Sequence, residues 1–84
     1  MPPYRIKWLD PAKAHIRAID RVTAMRLFEG GAHFARTGSG DVKALQGRMA
    51  GDLRLRLGDY RVLFNLDGGL MNIFGVRHRS EAYR

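Results

Sequence analysis

Residues 54–64 read RLRLGDYRVLF, and their pattern decides what the chain can become. Leu53, Leu55 and Leu57 fall at every second position, with Arg54 and Arg56 between them. Alternation at period two is the mark of a half-buried strand. Gly58-Asp59 suits a two-residue hairpin loop with glycine first. Tyr60, Val62, Phe64 and Leu66 then resume the alternation against Arg61, Leu63 and Asn65. Pairing about that loop sets Leu57 against Tyr60, Leu55 against Val62 and Leu53 against Phe64, all on one face. The other face sets Arg56 directly opposite Arg61, with Arg54 one step along. Like charges opposite each other destabilise a sheet by roughly 0.2–1 kcal/mol. Such a face is either a solvated polar surface or a seat for an anion, with phosphate the obvious candidate.

Working outward, DGG at 67–69 is a second turn and LMNIFGVR at 70–77 a last strand. Whether Arg77 shares a face with Arg61 depends on that turn. Three loop residues put them on the same side; two turn Arg77 towards the core. At the other end, YRIKWLD at 4–10 alternates as a first strand, with Tyr4, Ile6 and Trp8 on one side and Arg5 and Lys7 on the other. Asp10-Pro11 predicts a helix start, an aspartate N-cap followed by proline at the first helical position. Asp20 is placed to cap a second helix, whose apolar stripe is read as Val22, Met25, Phe28 and Ala32. Gly30-Gly31 inside it should loosen the helix or mark a close approach, at roughly 1 kcal/mol per glycine relative to alanine. TGSGD at 37–41 reads as a loop, and VKALQG leads towards the sheet with Leu45 as anchor. The expected fold is α+β: an N-terminal strand, then two helices packed on one face of a small, mainly antiparallel sheet that ends in a three-strand meander.

Composition narrows the function. The 84 residues make one domain, 1–84, with 45% apolar side chains, so a packed core rather than a disordered chain is expected. Lys and Arg total 15 against 8 acidic residues, a net +7 that points to an anionic partner, nucleic acid or an acidic protein. Arg outnumbers Lys twelve to three, favouring planar, bidentate phosphate recognition. There is no cysteine, which excludes disulfides and thiolate metal sites, and three scattered histidines make no metal centre. No apolar run is long enough to span a membrane, and the N-terminus lacks a signal-peptide core, so a cytoplasmic location without membrane contact is expected. Neither a metal nor a cofactor is implied.

The C-terminal RHRSEAYR, 77–84, crowds Arg77, His78, Arg79 and Arg84 around Tyr83. Either it is a basic tail, or the arginines neutralise a phosphate while the tyrosine accepts a proton. His78 is a candidate general base or a packing residue at a polar edge. His15 and His33 read as surface or boundary residues on helices.

The run LQG (45–47), LRLRLGDYRVLF (53–64) and VRHRSEAYR (76–84) resembles the RelE/ParE superfamily of bacterial toxin–antitoxin toxins, over almost the whole chain. GDYR and HRSEAYR are its specific parts; the helices match in layout only. RelE-like members cut mRNA in the ribosomal A site by attack of a ribose 2′-hydroxyl on the adjacent phosphate, whereas ParE-like members inhibit DNA gyrase. The RelE pattern implies Arg61 on the scissile phosphate, Arg77 on the phosphate or the leaving oxygen, and Tyr83 activating the 2′-hydroxyl or stacking on a base. Arg54, Arg56, Arg79 and Lys43 would hold the RNA backbone, with His78 a further acid–base candidate. Two lysines of the family's pre-hairpin strand are Arg54 and Asp52 here, with Lys43 a substitute from the loop. The implied partners are a cognate antitoxin in a hetero-oligomer, and the ribosome with its mRNA and 16S rRNA. The alternatives are a gyrase inhibitor, or a diverged member whose basic face only binds nucleic acid or its antitoxin.

Overall fold

Leu53–Leu57 (β3) and Tyr60–Asp67 (β4) pair antiparallel about Gly58-Asp59, in the register the alternation predicts: Leu57 faces Tyr60, Leu55 faces Val62, Leu53 faces Phe64 and Arg56 faces Arg61. Gly58 takes the left-handed φ of 62° that such a turn needs in its first position. The computed structural model describes residues 1–47 and 51–81 of the chain. Leu70–His78 (β5) lies on the far side of β4, and Arg5–Trp8 (β1) lies parallel to β5 at the sheet's edge. Asp41–Ala44 (β2), within the stretch read as loop and approach, is a fifth strand antiparallel to β3. It has four residues with one half-buried side chain, Val42, so it carries almost no periodic signal. The strand order is β1-β5-β4-β3-β2.

Asp10–Arg17 (α1) and Arg21–Thr37 (α2) follow β1. Helix α1 begins at Asp10 itself, and Leu9 in the N-cap position makes no side-chain cap. The aspartate instead sits in the first turn, where its charge favours the helix dipole. Asp20 is a true cap: its carboxylate accepts Thr23 N–H at 3.0 Å, and that bond holds its carboxyl below the ordinary aspartate value. Helix α2 runs unbroken through Gly30-Gly31 and closes on Gly38 at φ 74°. Its buried side is Ala24, Leu27, Gly31, Phe34 and Ala35 rather than the predicted stripe. Val22, Met25 and Phe28 are exposed, with Phe28 edge-on to Trp8 at 5.0 Å. Two apolar stripes compete on this helix, and the one with small residues wins. The sheet already brings Leu55, Phe64, Met71 and Ile73 to the interface, so close packing demands little volume from the helix. Gly30 marks a close approach: a Cβ there would fall 2.6 Å from Leu57 Cδ2.

The core gathers Ala12, Phe34 and Ala35 from the helices over Leu55, Val62, Phe64, Met71 and Ile73 from the sheet. The α+β arrangement of two helices on one face of a mainly antiparallel sheet is as predicted, with the parallel β1–β5 pair and β2 completing it.

Candidate nucleic-acid interface

On each strand the residues between core positions point to the face opposite the core. Across the sheet they line up in rows set by the pairing. One row reads Asp41, Arg56, Arg61 and Arg77 from β2 to β5. The next reads Lys43, Arg54, Leu63 and Gly75. Further along, Asn72 donates to Asn65 Oδ1 at 3.1 Å, and Lys7 of β1 pairs with Asn72. Arg5 lies on the same side of β1 as Lys7. The net +7 is therefore not scattered: cations dominate this face, with Asp41 and Asp67 the carboxylates among its paired strand positions.

Arg77 joins the row by an unexpected route. The β4–β5 loop is the two-residue Gly68-Gly69, since Asp67 pairs with Leu70, and a regular ladder from there would turn Arg77 to the core. A bulge intervenes. Phe64 pairs with Ile73 but Leu63 pairs with Gly75, leaving Phe74 as the extra residue. That single residue reverses the facing of the rest of β5, and Arg61 and Arg77 come directly opposite each other.

The remaining residues sort as follows. Arg54 and Arg56 share the face with Arg61; Arg56 Nε also reaches Gly58 O at 3.5 Å. Arg54 Nη1 is buried and has no hydrogen-bond partner among the described residues. A buried charged donor left unpaired is costly, and an anionic oxygen would satisfy it. Lys43 comes from strand β2, not a loop, and stands opposite Arg54 on the basic face. Arg79 lies past the end of β5, its N–H bonded to Asp59 O at 2.7 Å and its Nε 4.0 Å from the Asp59 carboxylate, a solvated contact of little energy. His78 is not brought onto the basic face. Alternation turns it to the helix side beside Tyr60, whose ring it meets edge-on at 5.1 Å, while its Nδ1 engages Ser80 Oγ and accepts Ser80 N–H. These contacts place it at the end of the strand. Tyr83 lies outside the described residues.

One residue at the edge of this site was read from sequence only as a surface or boundary residue. His15 of α1 meets Arg77, Nε2 to Nη1 at 2.8 Å. The spacing of Ala12, His15 and Ile16 on one side of the helix is the signal that could have placed it against the sheet.

This fold is that of the RelE-type toxins. The toxin of the RelBE2 toxin–antitoxin complex from Mycobacterium tuberculosis superposes with a TM-score of 0.83 at 23% identity, covering 93% of this chain and 100% of that one. RelE of the archaeal RelE–RelB complex from Pyrococcus horikoshii OT3 gives 0.72 at 24% identity, over 93% and 97%. The YoeB dimer from Staphylococcus aureus gives 0.70 at 15% identity, over 92% and 98%. No protein-family model and no curated protein matches the sequence. Among the described residues, no helix is long and apolar enough to cross a membrane.

Proposed function

We propose that this chain is the toxin of a toxin–antitoxin pair and an endoribonuclease that cuts mRNA on the ribosome. The observation that carries the reading is the row Arg56, Arg61 and Arg77, three arginines paired across β3, β4 and β5 on the sheet face opposite the core. Three adjacent like charges oppose sheet pairing unless an anion lies over them. A phosphodiester fits, because guanidinium donors match its oxygens in pairs. Arg61 neutralises the charge that grows on the scissile phosphate as the 2′-hydroxyl attacks. Arg77 holds the same phosphate or serves the leaving 5′-oxygen, as the RelE resemblance implies. The P–O5′ bond breaks, the 5′-oxygen takes up a proton, and a 2′,3′-cyclic phosphate remains. Tyr83 is assigned the proton of the 2′-hydroxyl or a stacking role on a base. Lys43 and Arg54 hold the backbone one row along. With Asp52 standing where the family has a lysine, that row supplies the flanking charge.

The partner in the resting state is an antitoxin. RelE proteins of this fold from Methanococcus jannaschii and Pyrococcus horikoshii were crystallised with RelB, and YoeB from Staphylococcus aureus with YefM. An acidic partner suits a chain of net charge +7.

The test is primer extension on a reporter mRNA in a purified translation system, with an Arg61→Ala, Tyr83→Phe double variant as control. Cuts within codons, present with ribosomes and absent with the variant, are expected. An intact message overturns the nuclease reading.

A further inference from the structure

Strand β1 stops pairing with β5 at Trp8 and Ile73, which leaves the outer edge of β5 open beyond that point. His15 fills the gap. Its Nδ1 faces the backbone N–H of Val76 at 3.1 Å, where the neighbouring strand has ended. Its other nitrogen, Nε2, faces Arg77 Nη1 at 2.8 Å. The ring is seated against the strand, since a Cβ at Gly75 would touch it at 3.7 Å. Two donors thus converge on one side chain.

A neutral imidazole has one acceptor nitrogen and one N–H. Val76 and Arg77 therefore compete for a single lone pair. With the proton on Nδ1, the ring accepts from Arg77 and the Val76 N–H is unserved. With the proton on Nε2, the ring serves Val76 and repels the Arg77 donor. Arg77 also stands opposite Arg61 in the β4–β5 pairing.

We propose that His15 is a positioning residue for Arg77. The imidazole holds the Arg77 guanidinium at the outer edge of β5. One N–H of Arg77 engages the ring, and its remaining donors stay free for phosphate oxygens. When the phosphate takes Arg77, the ring proton moves from Nδ1 to Nε2 and the Val76 N–H gains its acceptor. The loss of one hydrogen bond is offset by another, so Arg77 is released without leaving a buried donor orphaned. This inference rests on the nuclease reading for its consequence but not for its geometry.

The test has two parts. In single-turnover cleavage on ribosomes, His15→Ala is expected to slow the reaction by about 10-fold or more, the scale of a modest misplacement of a catalytic group. His15→Ala in an Arg77→Ala background is expected to add no further loss, and His15→Gln, which keeps an acceptor, to restore most of the rate. A His15→Ala rate equal to wild type, or losses that multiply in the double variant, would overturn the proposal. The second part uses the unaltered protein: ¹⁵N signals of the His15 ring, read while an uncleavable RNA trinucleotide with a 2′-deoxy residue is added. The ring is expected to shift towards the Nε2–H tautomer as the Arg77 signals move. If Arg77 responds and the ring does not, the proposal fails. If wild type cleaves nothing, the nuclease reading falls and the ring signals alone decide for His15.

Discussion

Adjacent glycines in α2 give a prediction in which most unknowns cancel. Replacing glycine by alanine in a helix interior gains roughly 1 kcal/mol from backbone entropy wherever the new methyl finds room. At Gly31 nothing lies within 4 Å of the new Cβ, so Gly31→Ala should stabilise by about that amount. For a domain of this size that raises Tm by about 4–8 °C. At Gly30 the same Cβ would meet Leu57 at 2.6 Å from Cδ2, 2.8 Å from Cδ1 and 3.2 Å from Cγ. Both methyls and the branch carbon must move. Leu57 is half-buried, so it either stays and is overpacked, at about 1–3 kcal/mol, or swings out and loses part of a burial worth about 1.5–3 kcal/mol when complete. The backbone gain is common to both variants, so their difference isolates the Leu57 contact, about 1–3 kcal/mol in favour of Gly31→Ala. Urea denaturation of the two variants and of wild type, alone and in a Leu57→Ala background, measures it. With Leu57 truncated, Gly30→Ala should become stabilising like its neighbour. Equal stability of the two alanine variants in the wild-type background would refute the packing argument.

Asp41 is the acidic neighbour of Arg56 in the basic row, so Asp41→Asn should destabilise by roughly 0.2–1 kcal/mol at low salt. The gap should close near 1 M salt, where the screening length shrinks to about 3 Å; thermal melts at both ionic strengths decide, and a salt-independent gap argues against an electrostatic cause. The Asp20 cap gives a pH prediction with a definite sign. Its folded-state carboxyl lies below the ordinary 3.8, held there chiefly by the Thr23 backbone N–H, so the stability it adds is present above that value and is lost as pH falls below it. Asp20→Ala should lower Tm at neutral pH, and the gap to wild type should narrow as melts are taken below pH 3.8.

The hairpin was legible because three signals agree there: alternation, a glycine-first turn, and pairing that sets Leu53, Leu55, Leu57, Tyr60, Val62 and Phe64 on one side. Strand β2 was not, since four residues at an edge with one half-buried side chain carry no period. The buried side of α2 was misread because two apolar stripes at helical spacing run along it and spacing alone does not choose between them. Val22, Met25 and Phe28 are large, yet the sheet had already filled the space that large residues would need. Of the basic face, Arg54, Arg56 and Arg61 followed from the hairpin register alone. Arg77 did not, because its side depends on the bulge at Phe74 as well as on the length of the turn. His15 was visible only as a boundary residue; its contact with Arg77 spans sixty-two positions in sequence and requires the fold.

The bulge at Phe74 divides β5 into two halves with opposite phase. Before it, Met71 and Ile73 serve the core; after it, Val76 does. The arginine end takes its orientation from pairing with β4 near Tyr60 and from the hold of His15, not from the turn at Gly68-Gly69. The two ends of the strand are therefore free to drift apart in evolution. The Gly68-Gly69 turn can lengthen without rotating Arg77, while loss or gain of one residue between Ile73 and Gly75 changes only the join. A strand built this way tolerates change at one end while keeping its chemistry aligned at the other.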